Sequence, residues 1–118
     1  MPLTIYHNPR CSKSRATRQL LEDAGRPFET VLYLETPPGP ERLCALAALL
    51  GLPVRALVRQ NEEDYRSATD LPEPGDEKAL AAWLSAHPKV LQRPIVVDDE
   101  RGRAVIGRPP ENVRELLE

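Results

Sequence analysis

Cysteine is scarce in this chain of 118 residues, occurring only at Cys11 and Cys44. Two thiols make a poor disulfide framework, so the expectation is free thiols and a cytoplasmic location. Histidine also occurs only twice, at His7 and His87, and no CxxC pair is present. A bound metal is therefore not expected. No apolar run approaches the length of a membrane span, and no membrane association is expected. The N-terminus lacks a basic region followed by a long apolar stretch, so no secretory leader is expected. There is no basic excess either. The net charge is -2, which gives no reason to expect a nucleic-acid partner.

What is present is the composition of an ordinary folded protein, 41% hydrophobic and 29% charged. The length suits one core rather than two, so residues 1–118 are read as a single domain, expected to be monomeric. Of the 16 basic residues 13 are arginine. Arginine presents a planar donor fork suited to oxyanions, although a genome bias toward alanine, proline and arginine would raise the count as well.

Hydropathy patterning orders the chain. Leu3 to Tyr6 reads as a short buried strand. Ser12 to Ala24 reads as a helix with Ala16, Leu20, Leu21 and Ala24 inward and Gly25 as its stop. Phe28 to Leu34 reads as a second strand, which completes a βαβ unit with parallel pairing. Thr36-Pro37-Pro38-Gly39-Pro40 is a rigid break. Helical spacing follows over Glu41 to Leu50, Val54 to Arg59 and Asp76 to Ala86, separated by Gly51-Leu52-Pro53 and Leu71-Pro72-Glu73-Pro74-Gly75. Ile95 to Val97 and Arg103 to Ile106 read as a hairpin turning at Asp98 to Gly102, and Pro110 to Leu117 as a closing helix. The order β-α-β, helices, β-β-α is that of an α/β, thioredoxin-like four-stranded mixed sheet. The core would be about 1–35 and 88–118, and the helical insertion about 36–87.

Cys11 stands at the junction of the first strand and the first helix. Unpaired N–H groups and the positive end of the helix dipole meet there. Such a position favours a thiolate, the nucleophilic form, and can also hold an oxyanion. His7, Arg10, Lys13 and Arg15 add nearby positive or protonatable groups. Ser14 occupies the place of the second cysteine of a CxxC motif, so a resolving thiol must come from Cys44 or from another molecule. Cys44, in Leu43-Cys44-Ala45-Leu46, reads as core. A phosphatase loop would need an arginine six residues beyond Cys11, where Thr17 stands. Arginines must therefore come from elsewhere, and Arg59, Arg93 and Arg108 are the candidates. Arg93 and Arg108 each precede a proline and flank the hairpin strands, so the topology can bring them to one side of the sheet. The Arg93-Pro94 bond precedes a strand and is a candidate cis site of the kind that lies beside the active cysteine in thioredoxin-like folds. His87 and Trp83 read as structural, and Glu62-Glu63-Asp64 as solvated surface.

Ile5-Tyr6-His7-Asn8-Pro9-Arg10-Cys11 followed by Ser14-Arg15 resembles the start of the glutaredoxin-coupled ArsC arsenate reductases. So do Tyr33-Leu34-Glu35-Thr36-Pro37-Pro38, Val54-Arg55-Ala56-Leu57-Val58-Arg59, Arg93-Pro94-Ile95-Val96 and Gly107-Arg108-Pro109, in order along the chain. Ser12-Lys13 and the short tail are more similar to the short chromosomal, YfgD-like branch. The resemblance implies Cys11 as catalytic residue, with Arg59, Arg93 and Arg108 as arsenate ligands and His7, Ser14, Arg15 and Pro94 in support. It also implies arsenate or a similar oxyanion as substrate, no bound cofactor, glutathione as co-substrate and glutaredoxin as partner. Two rivals share the fold: a glutathione-dependent thiol-disulfide oxidoreductase, which would need Cys11 but not three arginines, and an Spx-like regulator that binds RNA polymerase.

Overall fold

The computed structural model describes residues 2–117. The chain forms two compact units, one running to Thr36 and resuming at Arg93, the other spanning Pro37–Gln92. Residues 88–92 go with the second unit, a few residues beyond the 87/88 boundary the sequence suggests. A bridge between Val58 and Leu91 and a bond from Gln92 N to Leu57 O (2.7 Å) tie them there.

The first unit holds β1 (Leu3–His7), α1 (Ser12–Asp23), β2 (Phe28–Leu32), β3 (Ile95–Asp98) and β4 (Arg103–Ile106). The sheet has four strands in the order β2-β1-β3-β4, with β1 and β2 parallel and both other pairings antiparallel. β-branched and aromatic residues dominate these strands, as pleated half-buried surfaces favour. β2 stops at Leu32 rather than Leu34, because the N–H groups of Glu35 and Thr36 both turn back to Leu32 O (2.9 Å each). β3 is an inner strand buried along its whole length, which accounts for its unbroken apolar run.

One core cluster unites Leu3, Ile5, Val96 and Val105 of the sheet with Leu21 of α1 and Val113 and Leu116 near the C-terminus. The inward face of α1 differs from the expected one. Ser14, Thr17 and Leu21 are its buried residues, while Ala16 and Ala24 are exposed. Each buried hydroxyl has a hydrogen-bond partner, which removes the cost that would otherwise keep it at the surface. The closing segment Pro110–Leu116 is wound as a 3-10 helix rather than an α-helix. Gly25 follows the C-cap of α1 with φ +69°, where a left-handed residue ends a helix at little cost.

The second unit holds α2 (Pro40–Leu50), α3 (Glu63–Arg66) and α4 (Glu77–Ala86), with 3-10 turns at Val54–Leu57 and Pro88–Val90. α2 packs on α4, and Leu43, Leu46 and Ala47 of the one and Ala81 and Leu84 of the other are buried. The expected helix Val54 to Arg59 is only the short 3-10 turn, and Val58 leaves it extended to bridge Leu91. Trp83 is buried, donates Nε1 to Asp70 Oδ1 (3.0 Å) and stacks on His87, whose Nδ1 meets Trp83 O at 2.8 Å. Cys44 is half-buried and stands beside the core rather than within it.

Candidate active site

Strand register assembles the site in the first unit. Tyr6 pairs with Ile95, and Ile95 pairs with Ile106, so three strands place these residues in one row. β3 runs antiparallel to both neighbours. The chain therefore leaves β1 toward Cys11, enters β3 from Arg93-Pro94 and leaves β4 toward Gly107-Arg108 at one end of the sheet.

Cys11 is the N-cap of α1, with extended backbone (φ -94°, ψ 122°) and no side-chain cap hydrogen bond. Its thiol is free and half-exposed. Cys11 N donates to Asn8 O (3.0 Å), and Arg10 N donates to Asn8 Oδ1 (3.0 Å), so Asn8 folds the loop from inside. Arg15 closes it from the helix by donating Nη1 to Pro9 O (2.9 Å). Arg15 N–H bonds to Cys11 O (3.0 Å), and the N–H groups ahead of it belong to the first helical turn, where an anion is favoured.

Beneath the loop, buried His7 Nδ1 lies 2.8 Å from fully buried Ser14 Oγ, which also accepts from Asn8 N (3.0 Å). The arrangement that uses every donor has Asn8 N–H and Ser14 O–H in sequence, with Nδ1 as the final acceptor and the ring proton on Nε2. Burial lowers the His7 pKa from its ordinary 6.5, and the nearby charges of Arg18 and Arg15 lower it further. A neutral imidazole fits that chain of bonds.

Both Arg93-Pro94 and Arg108-Pro109 are cis peptide bonds. Arg108 is exposed and donates Nη1 to Arg93 O (3.3 Å), which joins the two arginine segments. Pro94 is buried beside them, and Pro94 O accepts from Gly107 N (2.9 Å). Arg59 lies in the second unit, where its Nη1 meets Glu62 Oε1 at 2.7 Å. Glu62 is thus tied to a cation rather than being only part of a solvated run.

Three residues around this end of the sheet take roles that the sequence does not announce. Gly107 is in close contact with Thr17, and Asn112 donates its side-chain amide to Ile106 O (3.1 Å) and Arg108 O (3.3 Å). A helical wheel through Ser14, Thr17 and Leu21 is the one signal that marks the Thr17 face. The other contacts join residues far apart in sequence and leave no local pattern.

The model of the ArsC family matches residues 6–116. The chain belongs to the ArsC family. Among ArsC relatives, the Escherichia coli K12 protein called YfgD is 46% identical over 114 residues, covering 96% of this chain and 94% of that one. A protein named arsenate reductase from Neisseria meningitidis serogroup A is 42% identical, covering 98% and 97%. A solved structure described as arsenate reductase from Vibrio cholerae superposes with a TM-score of 0.88 at 46% identity, covering 98% and 97%. The four-stranded mixed sheet is therefore the thioredoxin-like fold of the ArsC proteins.

Proposed function

We propose that this chain reduces arsenate to arsenite, with Cys11 as the nucleophile and glutathione and glutaredoxin as the electron source. The observation that carries the reading is the strand register, which gathers the Cys11 loop, Arg93-Pro94 and Arg108 at one end of the sheet. Relatives named arsenate reductase add support. Arg93 and Arg108 are assigned to the oxyanion because guanidinium forks match paired oxygens and neutralise developing charge. Arg59 is proposed as a third ligand on the resemblance of Val54–Arg59 to the ArsC sequences alone. His7, Ser14 and Arg15 hold the loop that carries the thiol, and Pro94 holds the Arg93 segment.

In the proposed cycle the Cys11 thiolate bonds to arsenic, and one arsenate hydroxyl leaves as water with one added proton. A glutathione thiol then adds to arsenic with loss of a second water. The glutaredoxin thiolate attacks the glutathione sulfur, and the electron pair of the sulfur–arsenic bond stays on arsenic, now As(III). The oxidation departs as a glutathione–glutaredoxin disulfide. Water releases arsenite and restores Cys11.

The test is NADPH consumption by the purified protein with arsenate, glutathione, glutaredoxin and glutathione reductase. The expected result is arsenate-dependent turnover that Cys11→Ser abolishes. Turnover no higher than in Cys11→Ser would remove the assignment. Arg93→Ala and Arg108→Ala should each raise KM for arsenate roughly tenfold or more, as loss of a charge-assisted hydrogen bond implies. Arg59→Ala tests the third ligand in the same way. Arginine variants that reduce a disulfide substrate as fast as the parent, with that activity lost in Cys11→Ser, would instead favour a general thiol-disulfide oxidoreductase.

A further inference from the structure

We infer that Thr17 and Gly107 are positioning residues for oxyanion capture, their close packing fixing the Arg108 turn and the Pro94 loop against the helix that starts at the thiol. The inference rests on the oxyanion reading above and adds to it the device that sets where the arginines stand.

Gly107 is buried immediately after β4, and its conformation is not the reason for glycine. It is absent from the positive-φ glycines at positions 25, 51, 75 and 102. The reason is space. A Cβ there would lie 2.5 Å from Thr17 Oγ1, 2.9 Å from Pro94 Cγ and 3.1 Å from Thr17 Cγ2. Atoms of both neighbouring elements therefore meet this backbone with no room for a methyl group.

Thr17 is wholly buried, and its hydroxyl is anchored to the helix by donating to Lys13 O (2.8 Å), with Gly107 O a further 3.4 Å contact. It therefore presents a fixed edge to Gly107. On the other side Gly107 N is bonded to Pro94 O (2.9 Å). Gly107 thus sits between α1 and the Arg93-Pro94 segment, and the residue after it is Arg108. Asn112 holds that turn from the C-terminal side through Ile106 O and Arg108 O.

An added methyl must push the Arg108 turn away from α1, because the helix backbone is continuous with the Cys11 loop and Pro94 is buried. A ligand site loses binding sharply when its groups move by about 1 Å. Cys11 stands half-exposed at the start of the helix and takes no part in the contact between Thr17 and Gly107. The reactivity of unliganded Cys11 is therefore expected to be preserved while oxyanion capture is lost.

The experiment follows alkylation of the Cys11 peptide by iodoacetamide in the full chain, with arsenate as the protecting probe. Gly107→Ala should raise the arsenate concentration for half-protection about tenfold or more, with the alkylation rate in the absence of arsenate within about twofold of the parent. Adding Thr17→Ala, which removes both γ atoms, should recover at least about threefold of that loss. A parent-like midpoint in Gly107→Ala, or no recovery in the double variant, overturns the inference. Should Gly107→Ala fail to fold by circular dichroism, Thr17→Ser decides. It keeps the hydroxyl and opens the contact by one methyl, and an unchanged midpoint there overturns the inference as well. If arsenate does not protect the parent protein, the proposed function falls, and this inference with it.

Discussion

His7 shows how much a single side chain depends on its surroundings. It ends β1 at 6% exposure, beneath the loop that carries the thiol, and its pKa is lowered by burial and then by Arg18 and Arg15. The unfolded chain therefore binds the proton more readily than the folded one near pH 6. Stability is fully present above about pH 6.5 and falls as the pH drops through that value toward the lower folded pKa. Urea midpoints at pH 5.5 and pH 7.5 check this: the parent should be less stable at pH 5.5, and His7→Gln should show a smaller difference between the two. Ser14 is its counterpart. Ser14→Ala leaves Asn8 N and His7 Nδ1 without their common partner and should cost about 1–3 kcal/mol in urea unfolding. The spacing of His7 and Ser14 is visible in the sequence, but their bond is not. It exists because a strand end and a helical turn are brought together across seven residues.

Among the secondary-structure elements, patterning locates the strands and the longer helices, and tertiary contacts set their limits. α1 is legible from Ser12 to Gly25, but its buried face is not. The apolar residues point to Ala16 and Ala24, whereas Ser14 and Thr17 turn inward because partners await their hydroxyls. Leu21 is legible, and it is wholly buried in the core with Leu3, Ile5 and Val96. Leu21→Ala should lower stability by about 2–5 kcal/mol through lost burial and the cavity left behind, as a denaturant titration would measure. The short α3 and the 3-10 turn at Pro88–Val90 leave no mark in the sequence, and the turn at Val54–Leu57 reads there as a longer helix to Arg59, because elements of three or four residues carry too little periodicity. The acidic run reads as solvated surface; Glu62 is half-buried against Arg59, while Asp64 and the Glu63–Arg66 pair are exposed. Glu63→Gln should change stability by less than about 1 kcal/mol in the same titration, since that pair is exposed.

Across the molecule, the proposed cycle sends its electrons through external thiols rather than through a second cysteine of the chain. Cys44 is half-buried on α2, and Cys44→Ser should keep arsenate-dependent NADPH consumption within about twofold of the parent. A collapse of turnover would show that Cys44 resolves the Cys11 adduct. Residue order alone determines the α/β succession and the approximate places of the strands and longer helices, and it singles out the cysteine and the arginines that the proposal uses. Those are local properties: hydropathy period, proline and glycine punctuation, and residue type. Folding in three dimensions adds that the Cys11 loop, Arg93-Pro94 and Arg108 leave the sheet at the same end. It also adds the lack of room for any side chain at Gly107 and the burial of His7 against Ser14. Those facts arise from strand register and close packing between segments distant along the chain, where no local pattern is written.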